Sequence, residues 1–308
     1  MAVSVVVPAR NAAQTLPSTL AALAAQSFAE PYEIIVVDNG SSDATQALAR
    51  AAGVVVVRGP GRGPGPARMA GVAAARHDIL AFTDADCAPE PGWLTAGVTA
   101  LRAGHVLVQG WTGPPPEAAV GPWDRTLRVG AAVGLFETAN LFVTRTAFDE
   151  AGGFGDGLEA PGHAPFGEDA LLGWALRRRG LPTAFEPAAR VRHCVFPRDL
   201  RGHLAELERR ALFPHLVRAI PELRRALLWR RVFLHRRDAL LVAMVAGLAT
   251  AAITRRPAVA LVGVPWAAEV AHDARTLGPR LAAGRALSDV WSVAFAARGS
   301  VQARTLVL

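Results

Sequence analysis

Carboxylates stand at several points where apolar runs stop. Asp38 closes Glu33-Ile34-Ile35-Val36-Val37-Asp38, Asp84-Ala85-Asp86 follows Ile79–Thr83, and Glu168-Asp169 opens a helical pattern. Two carboxylates one residue apart repel each other unless a cation lies beside them. Hard oxygen ligands of this kind suit Mg²⁺ or Mn²⁺ bridging to a diphosphate. His193, in Val191-Arg192-His193-Cys194, adds an imidazole of the type that ligates metals. Arg68 offers a fork that pairs bidentately with phosphate oxygens. Each of these has a plainer reading. Asp at a strand end commonly caps the next helix or makes an Asx-turn, and for Asp43 the helix cap is the first reading. Acids at 168 and 169 complement a helix dipole. Arg68 alone reads equally as a surface arginine on a helix, and a lone His as a core or surface residue.

The elements that must position these side chains alternate. Val3–Val7 is a strand, and Leu16, Leu20 and Leu23 repeat along one helix face. Glu33–Asp38 is a second strand, followed by a helix from Ala44 to Ala52 and a short strand at Val54–Val57. A helix over Ala67–Arg76 leads into the strand Ile79–Thr83; Pro91–Leu101 is the next helix and His105–Val108 closes the series. Fully apolar strands alternating with helices imply an α/β fold with a mainly parallel, doubly covered sheet. Ligands then bind beyond the carboxyl ends of the strands, where Asp38, Asp84 and Asp86 fall. From about 110 to 198 the pattern is less regular. It holds Pro114-Pro115-Pro116, a strand at Leu141–Thr144, a Gly/Pro-rich loop from Gly152 to Gly167, and a helix from Glu168 to Arg179 stopped by Gly180. The stretch Gly59–Pro66 reads as a loop.

Composition limits the rest. With 308 residues, 51% of them hydrophobic and 19% charged, the chain is neither disordered nor fibrous. All 33 basic residues are arginine, against 26 acids, for a formal charge of +7. That balance invites a nucleic-acid reading, which its distribution opposes. Residues 1–198 hold 16 Arg and 18 acids, whereas 199–308 hold 17 Arg and 8 acids, so the excess cation belongs to the last third. A single Tyr in the chain leaves few stacking platforms for single strands, and no helix-turn-helix stands out. A dinucleotide-dependent dehydrogenase fails because no Gly-x-Gly-x-x-Gly follows the first strand. Two cysteines, Cys87 and Cys194, suit a reducing cytosol and are expected as thiols. The N-terminal run reads as a buried strand and not as a signal peptide.

Taken in order, Val5-Val6-Val7-Pro8-Ala9-Arg10-Asn11, Ile35–Asp43, Ala67-Arg68-Met69-Ala70-Gly71, Asp84-Ala85-Asp86 and Gly167-Glu168-Asp169 resemble the family-2 glycosyltransferases. These are GT-A-fold enzymes that use nucleotide sugars, and the resemblance covers about residues 3–195. It implies that Pro8, Ala9, Arg10 and Asn11 edge the nucleotide pocket, with Asp38 hydrogen-bonding the base. Arg68 approaches the diphosphate; Asp84 and Ala85 face the ribose or sugar, and Asp86 ligates Mn²⁺ or Mg²⁺, with His193 as a further ligand. If His193 is a ligand, Cys87 and Cys194 each adjoin one and lie near each other. Asp169 is the general base of an inverting transfer, and Glu168 orients the acceptor or the preceding loop. Thr138-Ala139-Asn140-Leu141 matches a segment beside the acceptor, which puts Asn140 on the acceptor side. Met69 stands where the family often has Asn. A nucleotide-sugar-binding protein without catalysis is the alternative, opposed by the presence of Asp84, Asp86 and Asp169.

The division expected is a catalytic domain over 1–198 and a helical region over 199–308. Leu200, Leu204, Leu207 and Ala211 share one helical face. Arg224-Arg225, Arg230-Arg231 and Arg236-Arg237 frame an apolar face with Leu227, Leu228 and Phe233. Two uncharged runs follow, Ala239–Thr254 and Pro257–Ala268, split by Arg255-Arg256. Neither reaches the roughly 20 residues of a spanning helix. They read either as buried helices or as an attachment to anionic headgroups, each cation near the surface adding about 1 kcal/mol. A two-span hairpin would leave Arg255-Arg256 outside, against the positive-inside tendency. The expectation is therefore an interfacial or re-entrant attachment on the cytoplasmic face, with a lipid or lipid-linked acceptor.

Overall fold

In the computed structural model, which describes residues 1–308, the chain begins with β1 (Val3–Ala9), whose side chains are almost all buried. It continues through α1 (Leu16–Ala24), β2 (Tyr32–Asp38), α2 (Thr45–Ala51), β3 (Val55–Arg58), α3 (Pro64–Ala74), β4 (Ile79–Thr83), β5 (Cys87–Pro89), α4 (Trp93–Arg102) and β6 (Leu107–Gly113). After a long irregular stretch come β7 (Asn140–Thr144), α5 (Arg145–Glu150), α6 (Glu168–Arg178) and β8 (Thr183–His193). The eight strands form one mixed sheet in the order β3-β2-β1-β4-β7-β6-β8-β5. The half β3-β2-β1-β4 is parallel, as the alternation with helices requires. Antiparallel pairing enters with β7, which lies against both β4 and β6, and again where β5 meets β8.

Two apolar layers cover the sheet. One gathers Val5, Val7, Leu16, Leu20, Leu23, Trp93, Val98 and Phe142; the other gathers Val6, Ile35, Val37, Val72, Phe82, Phe148, Phe154 and Leu176. Period-2 alternation along β1 sends Val5 and Val7 to one layer and Val6 to the other, so the strand is apolar on both faces. Helix α3 sits close to the sheet because Gly71 has no side chain: a Cβ there would stand 2.4 Å from Val6 Cγ1.

Several boundaries differ from expectation for physical reasons. Helix α3 starts at Pro64, inside the stretch read as a loop, because proline in the first turn gives up no helical hydrogen bond. The short strand β5 and the helix α5 carry too few residues for a periodic signal. Within 152–167 the chain is ordered by a bridge between Leu158 and Phe166, each backbone N–H donating to the other's carbonyl.

The chain divides into two units, Met1–Val120 with Thr126–Phe196, and Gly121–Arg125 with Pro197–Leu308. The second unit is helical: α7 (Leu200–Glu206), a 3₁₀ turn over Leu207–Leu212, α8 (Phe213–Ala219), α9 (Leu223–Ala226), α10 (Arg236–Thr254), a 3₁₀ turn over Pro257–Gly263, α11 (Val264–Thr276) and α12 (Pro279–Ala303). The face expected from Leu200 to Ala211 is split by the change to 3₁₀ geometry, and of its four residues only Ala211 is buried. Gly299 lets α12 touch that turn; a Cβ would stand 2.2 Å from the Ala211 carbonyl. Helix α10 starts three residues before the uncharged run, on a capping box formed by His235 and Asp238. It is the one helix long and apolar enough to cross a membrane, by length and composition alone, and 17% of its most apolar window is buried. The second uncharged run does not form a matching helix, since α11 has 13 residues and includes Glu269, Asp273 and Arg275.

Candidate active site

The parallel register lines up the strand ends. Ala9 pairs with Asp38 and Val6 with Phe82, so the turns after β1, β2 and β4 open on one edge. Two of these turns are stitched together. Asn11, held at a positive φ of 51°, accepts from the Ser42 N–H at 2.9 Å and donates its own N–H to Ser41 Oγ at 3.0 Å. Asp43 accepts from the N–H groups of Thr45 and Ala13, which satisfies the start of α2 and ties it to the first turn. The cap reading of Asp43 is thus extended by a cross-loop bond. Asp38 is buried and accepts from the Ser41 N–H at 3.1 Å, while Pro8 and Ala9 flank it from β1 and Arg10 is exposed. Asn39, not singled out from sequence, holds the next loop through Gly61 N–H and the Gly63 carbonyl.

Beyond β4, Asp84-Ala85-Asp86 leads directly into β5, and β5 pairs antiparallel with the end of β8 so that Cys87 faces His193. This register puts His193 Nε2 3.7 Å from Asp86 Oδ2. The other ring nitrogen, Nδ1, lies 2.7 Å from the Cys194 carbonyl, an acceptor that holds a proton on Nδ1, so that the neutral ring would turn its Nε2 lone pair toward Asp86. A lone pair opposite a carboxylate is a cation site by its chemistry. One donor atom from each of Asp86, Cys87 and His193 falls within 4.8 Å of the others, so the residues present fit a divalent ion. Both cysteines are free thiols, and the Cys194 N–H donates to the Asp86 carbonyl, which brings both thiol-bearing residues beside Asp86.

Arg68 is 5% exposed and is not a surface residue. Its Nη2 donates to Asp84 Oδ1 at 2.7 Å and its Nη1 to Glu168 Oε1 at 3.4 Å. Burial disfavours its charge, but Asp84 and Glu168 outweigh that and raise its pKa above the usual value. Gly65 makes room for Glu168, since a Cβ there would meet Oε1 at 3.0 Å. Glu168, expected to orient the acceptor or the preceding loop, is turned inward and holds Arg68.

Asp169, one residue on, is partly shielded, and its pKa is raised to about 7. Desolvation is the main cause, the Glu168 carboxylate adds to it, and Arg68 opposes both. Glu137 also pushes in the same direction. That residue was missed from sequence. It is half-buried, desolvation raises its own pKa, and Gln109 Nε2 donates to its Oε2. The signal was the direction of β7: read as antiparallel, its start lies beside the carboxyl end of β4, Thr83 pairing with Asn140.

Asn140, expected beside the acceptor, has an enclosed side chain. It is 1% exposed, with Oδ1 accepting from Trp93 Nε1 and Nδ2 donating to the carbonyls of Trp111 and Ala189, each at 2.8 Å. The side chain is tied into the core. Replacing Asn140 with Ala leaves three buried partners unmet and is expected to lower the unfolding free energy by about 2–4 kcal/mol. Denaturant titration checks this; unchanged stability with a selective loss of acceptor saturation would contradict it.

Comparisons with known proteins agree with this geometry. Residues 4–154 match Glycosyl transferase family 2. Glycosyltransferase AglE of Haloferax volcanii is 31% identical over 176 residues, 52% of this chain and 58% of its own length. The chain thus spans somewhat over half of that relative. Mannosyltransferase PcManGT from Pyrobaculum calidifontis, solved with GDP-Man and Mn²⁺, has the same fold with a TM-score of 0.57 at 20% identity, covering 98% of this chain and 86% of that one. Glucosyl-3-phosphoglycerate synthase from Mycobacterium tuberculosis, solved with Mn²⁺, UDP-glucose and phosphoglyceric acid, gives a TM-score of 0.50 at 23% identity over 72% and 79% of the two chains. The N-terminal unit, which carries every residue of this site, matches glycosyltransferase family 2 over residues 4–154.

Proposed function

We propose that the chain transfers a sugar from a nucleotide sugar, first among them UDP-sugars, to an acceptor hydroxyl with inversion at the sugar carbon. The observation that carries this reading is the bridge made by Arg68. One guanidinium joins Asp84, beside the metal pair, to Glu168, beside Asp169, so a donor half and a base half form one connected site. Two proteins of the same fold hold Mn²⁺ with a nucleotide sugar, which supports that donor class here.

Asp86 and His193 would hold the divalent ion, and when bound it supplies positive charge against the departing diphosphate. This chain's own residues do the rest. The turns after β1 and β2 present Asp38 and the Pro8–Asn11 rim to the nucleotide. Arg68, fixed by two carboxylates, offers a preorganised cation that costs no reorganisation when charge develops. Asp169 takes the acceptor proton; a pKa of about 7 matches a base working near neutrality. The ordered 152–167 segment immediately precedes Asp169 and is suited to cover the bound donor.

A thermal-shift panel of UDP-, GDP- and dTDP-sugars with and without Mn²⁺ tests donor binding. One donor class should raise the melting temperature only with metal, because ligand that binds the native state stabilises it. No shift with any donor would contradict the reading.

We further propose that the C-terminal unit attaches to the cytoplasmic face of a membrane, where a lipid or lipid-linked acceptor would be met. Val245, Leu248, Ile253, Leu261, Val262 and Val264 are exposed on α10 and the segment after it. Exposed Arg230, Arg231, Arg255 and Arg256 accompany them. Of the arginines expected at headgroups, Arg237 is not available: it pairs with Asp273 at 2.6 Å and Asp289 at 2.8 Å, while Arg236 pairs with Glu269. Flotation with vesicles checks the attachment. Binding to anionic vesicles that weakens with salt is expected; equal recovery in the lipid-free fraction at low salt would contradict it.

A further inference from the structure

The register that brings His193 to Asp86 brings a third donor of a different kind. Cys87 Sγ lies 3.8 Å from Asp86 Oδ1, His193 Nε2 lies 3.7 Å from Asp86 Oδ2, and a donor atom of each residue is within 4.8 Å of the other two. Cys87 is fully buried and His193 is 4% exposed. Three donors on one zinc ion, at bond lengths of about 2.0–2.3 Å, stand about 3.4–3.6 Å apart. The side chains therefore need to close by at most about 1.4 Å around an ion of that size. Core packing alone explains a buried thiol on β5, but it does not require the thiol to converge with a carboxylate and with an imidazole whose Nε2 faces that carboxylate.

We propose that Cys87 is a third ligand of this metal site and that its sulfur makes the site select a thiophilic divalent cation, Zn²⁺ or Co²⁺, over Mg²⁺. The inference rests on the metal site proposed above. Carboxylate and imidazole alone serve Mg²⁺, Mn²⁺ and Zn²⁺ alike, whereas a soft thiolate shifts preference toward the later metals. On binding, a bond forms between Sγ and the metal and the thiol proton passes to solvent. Three protein ligands of mixed O, S and N type leave positions open for an oxygen of a bound ligand, the arrangement of catalytic rather than structural zinc. Zn²⁺ is then a tight occupant that displaces Mn²⁺.

The test uses the full chain carrying Cys194→Ser, so that Cys87 is the sole thiol, and titrates Co²⁺ while recording the absorption spectrum. A thiolate-to-cobalt charge-transfer band in the near ultraviolet is expected, lost in the additional variants Cys87→Ser and Cys87→Ala. Competition with a chromogenic chelator should show Zn²⁺ affinity falling about 10- to 100-fold in those variants, with Mn²⁺ affinity moving by about threefold or less. Free Mn²⁺ is counted by electron paramagnetic resonance. Cobalt binding without the band overturns the proposal while leaving the Asp86–His193 site standing. Unchanged Zn²⁺ affinity on removal of the sulfur does the same. If the parent binds neither Mn²⁺ nor Co²⁺, both fall. The parent spectrum alone decides the point should the Cys87 variants fail to fold.

Discussion

Replacing Asp169 with Asn is expected to slow transfer by at least about 100-fold while leaving donor affinity within a few-fold, since general-base assistance contributes about 10²–10⁴. The amide keeps the shape and the hydrogen bond to the Ala170 N–H but cannot take a proton. The pKa of about 7 adds two further expectations. Activity of the parent should rise with pH up to about 7 and then level, because only the ionised carboxylate accepts the acceptor proton. Stability runs the other way. A carboxyl whose folded pKa lies above its unfolded value binds more protons when folded, so stability is lost as pH rises from about 4 through about 7. Asp169→Asn removes that liability, and its melting temperature should exceed the parent's at pH 8 and approach it at pH 5. Full activity in this variant would remove Asp169 as the base. A melting temperature below the parent's at pH 8 would remove the desolvated carboxylate as a source of strain.

Replacing Arg68 with Met is expected to cost about 3 kcal/mol of stability, because it leaves the buried Glu168 carboxylate without its cation. Glu168 is 7% exposed and cannot recover its hydration without local rearrangement, whereas Asp84, with 32% of its side chain exposed, stays partly hydrated when it loses its 2.7 Å partner. Arg68→Lys should recover only part of the loss, since an ammonium is a point charge and cannot span both carboxylates as the guanidinium fork does. Urea unfolding of the three proteins measures this. A Met variant within about 0.5 kcal/mol of the parent would mean the bridge contributes nothing and behaves as an exposed ion pair does.

Much of the site was legible because it lies in short segments whose chemistry is local. Apolar strands ending in Asp38 and Asp84-Ala85-Asp86 announce both an α/β sheet and its ligand edge, and the parallel half of the sheet follows from the helices between those strands. What was not legible depends on pairing between distant residues. The family resemblance named His193 beside Asp86, but the residues alone could not, because the two meet only through the antiparallel register of β5 with β8, and β5 is three residues long. Glu137 joins the site only because β7 runs back along β4. Asn140 and Glu168 have internal partners that the sequence did not show, since a polar residue near an active site is equally suited to holding the scaffold together. The partners decide, and for Asn140 they are Trp93, Trp111 and Ala189. In the C-terminal unit the arginine pairs looked alike in sequence, yet Arg237 is spent on Asp273 and Asp289 while Arg255 and Arg256 are exposed.

The central claim is that the carboxyl edge of this sheet turns over a nucleotide sugar with help from a cation at Asp86 and His193. Release of nucleoside diphosphate tests it most directly. The full chain is incubated with each UDP-, GDP- and dTDP-sugar, with a lipid extract as acceptor source, in Mn²⁺ or in chelator. Release from one donor class is expected, dependent on the metal and lost in Asp86→Asn. Release that persists in chelator and in Asp86→Asn, or no release from any donor by folded protein with metal present, would contradict it.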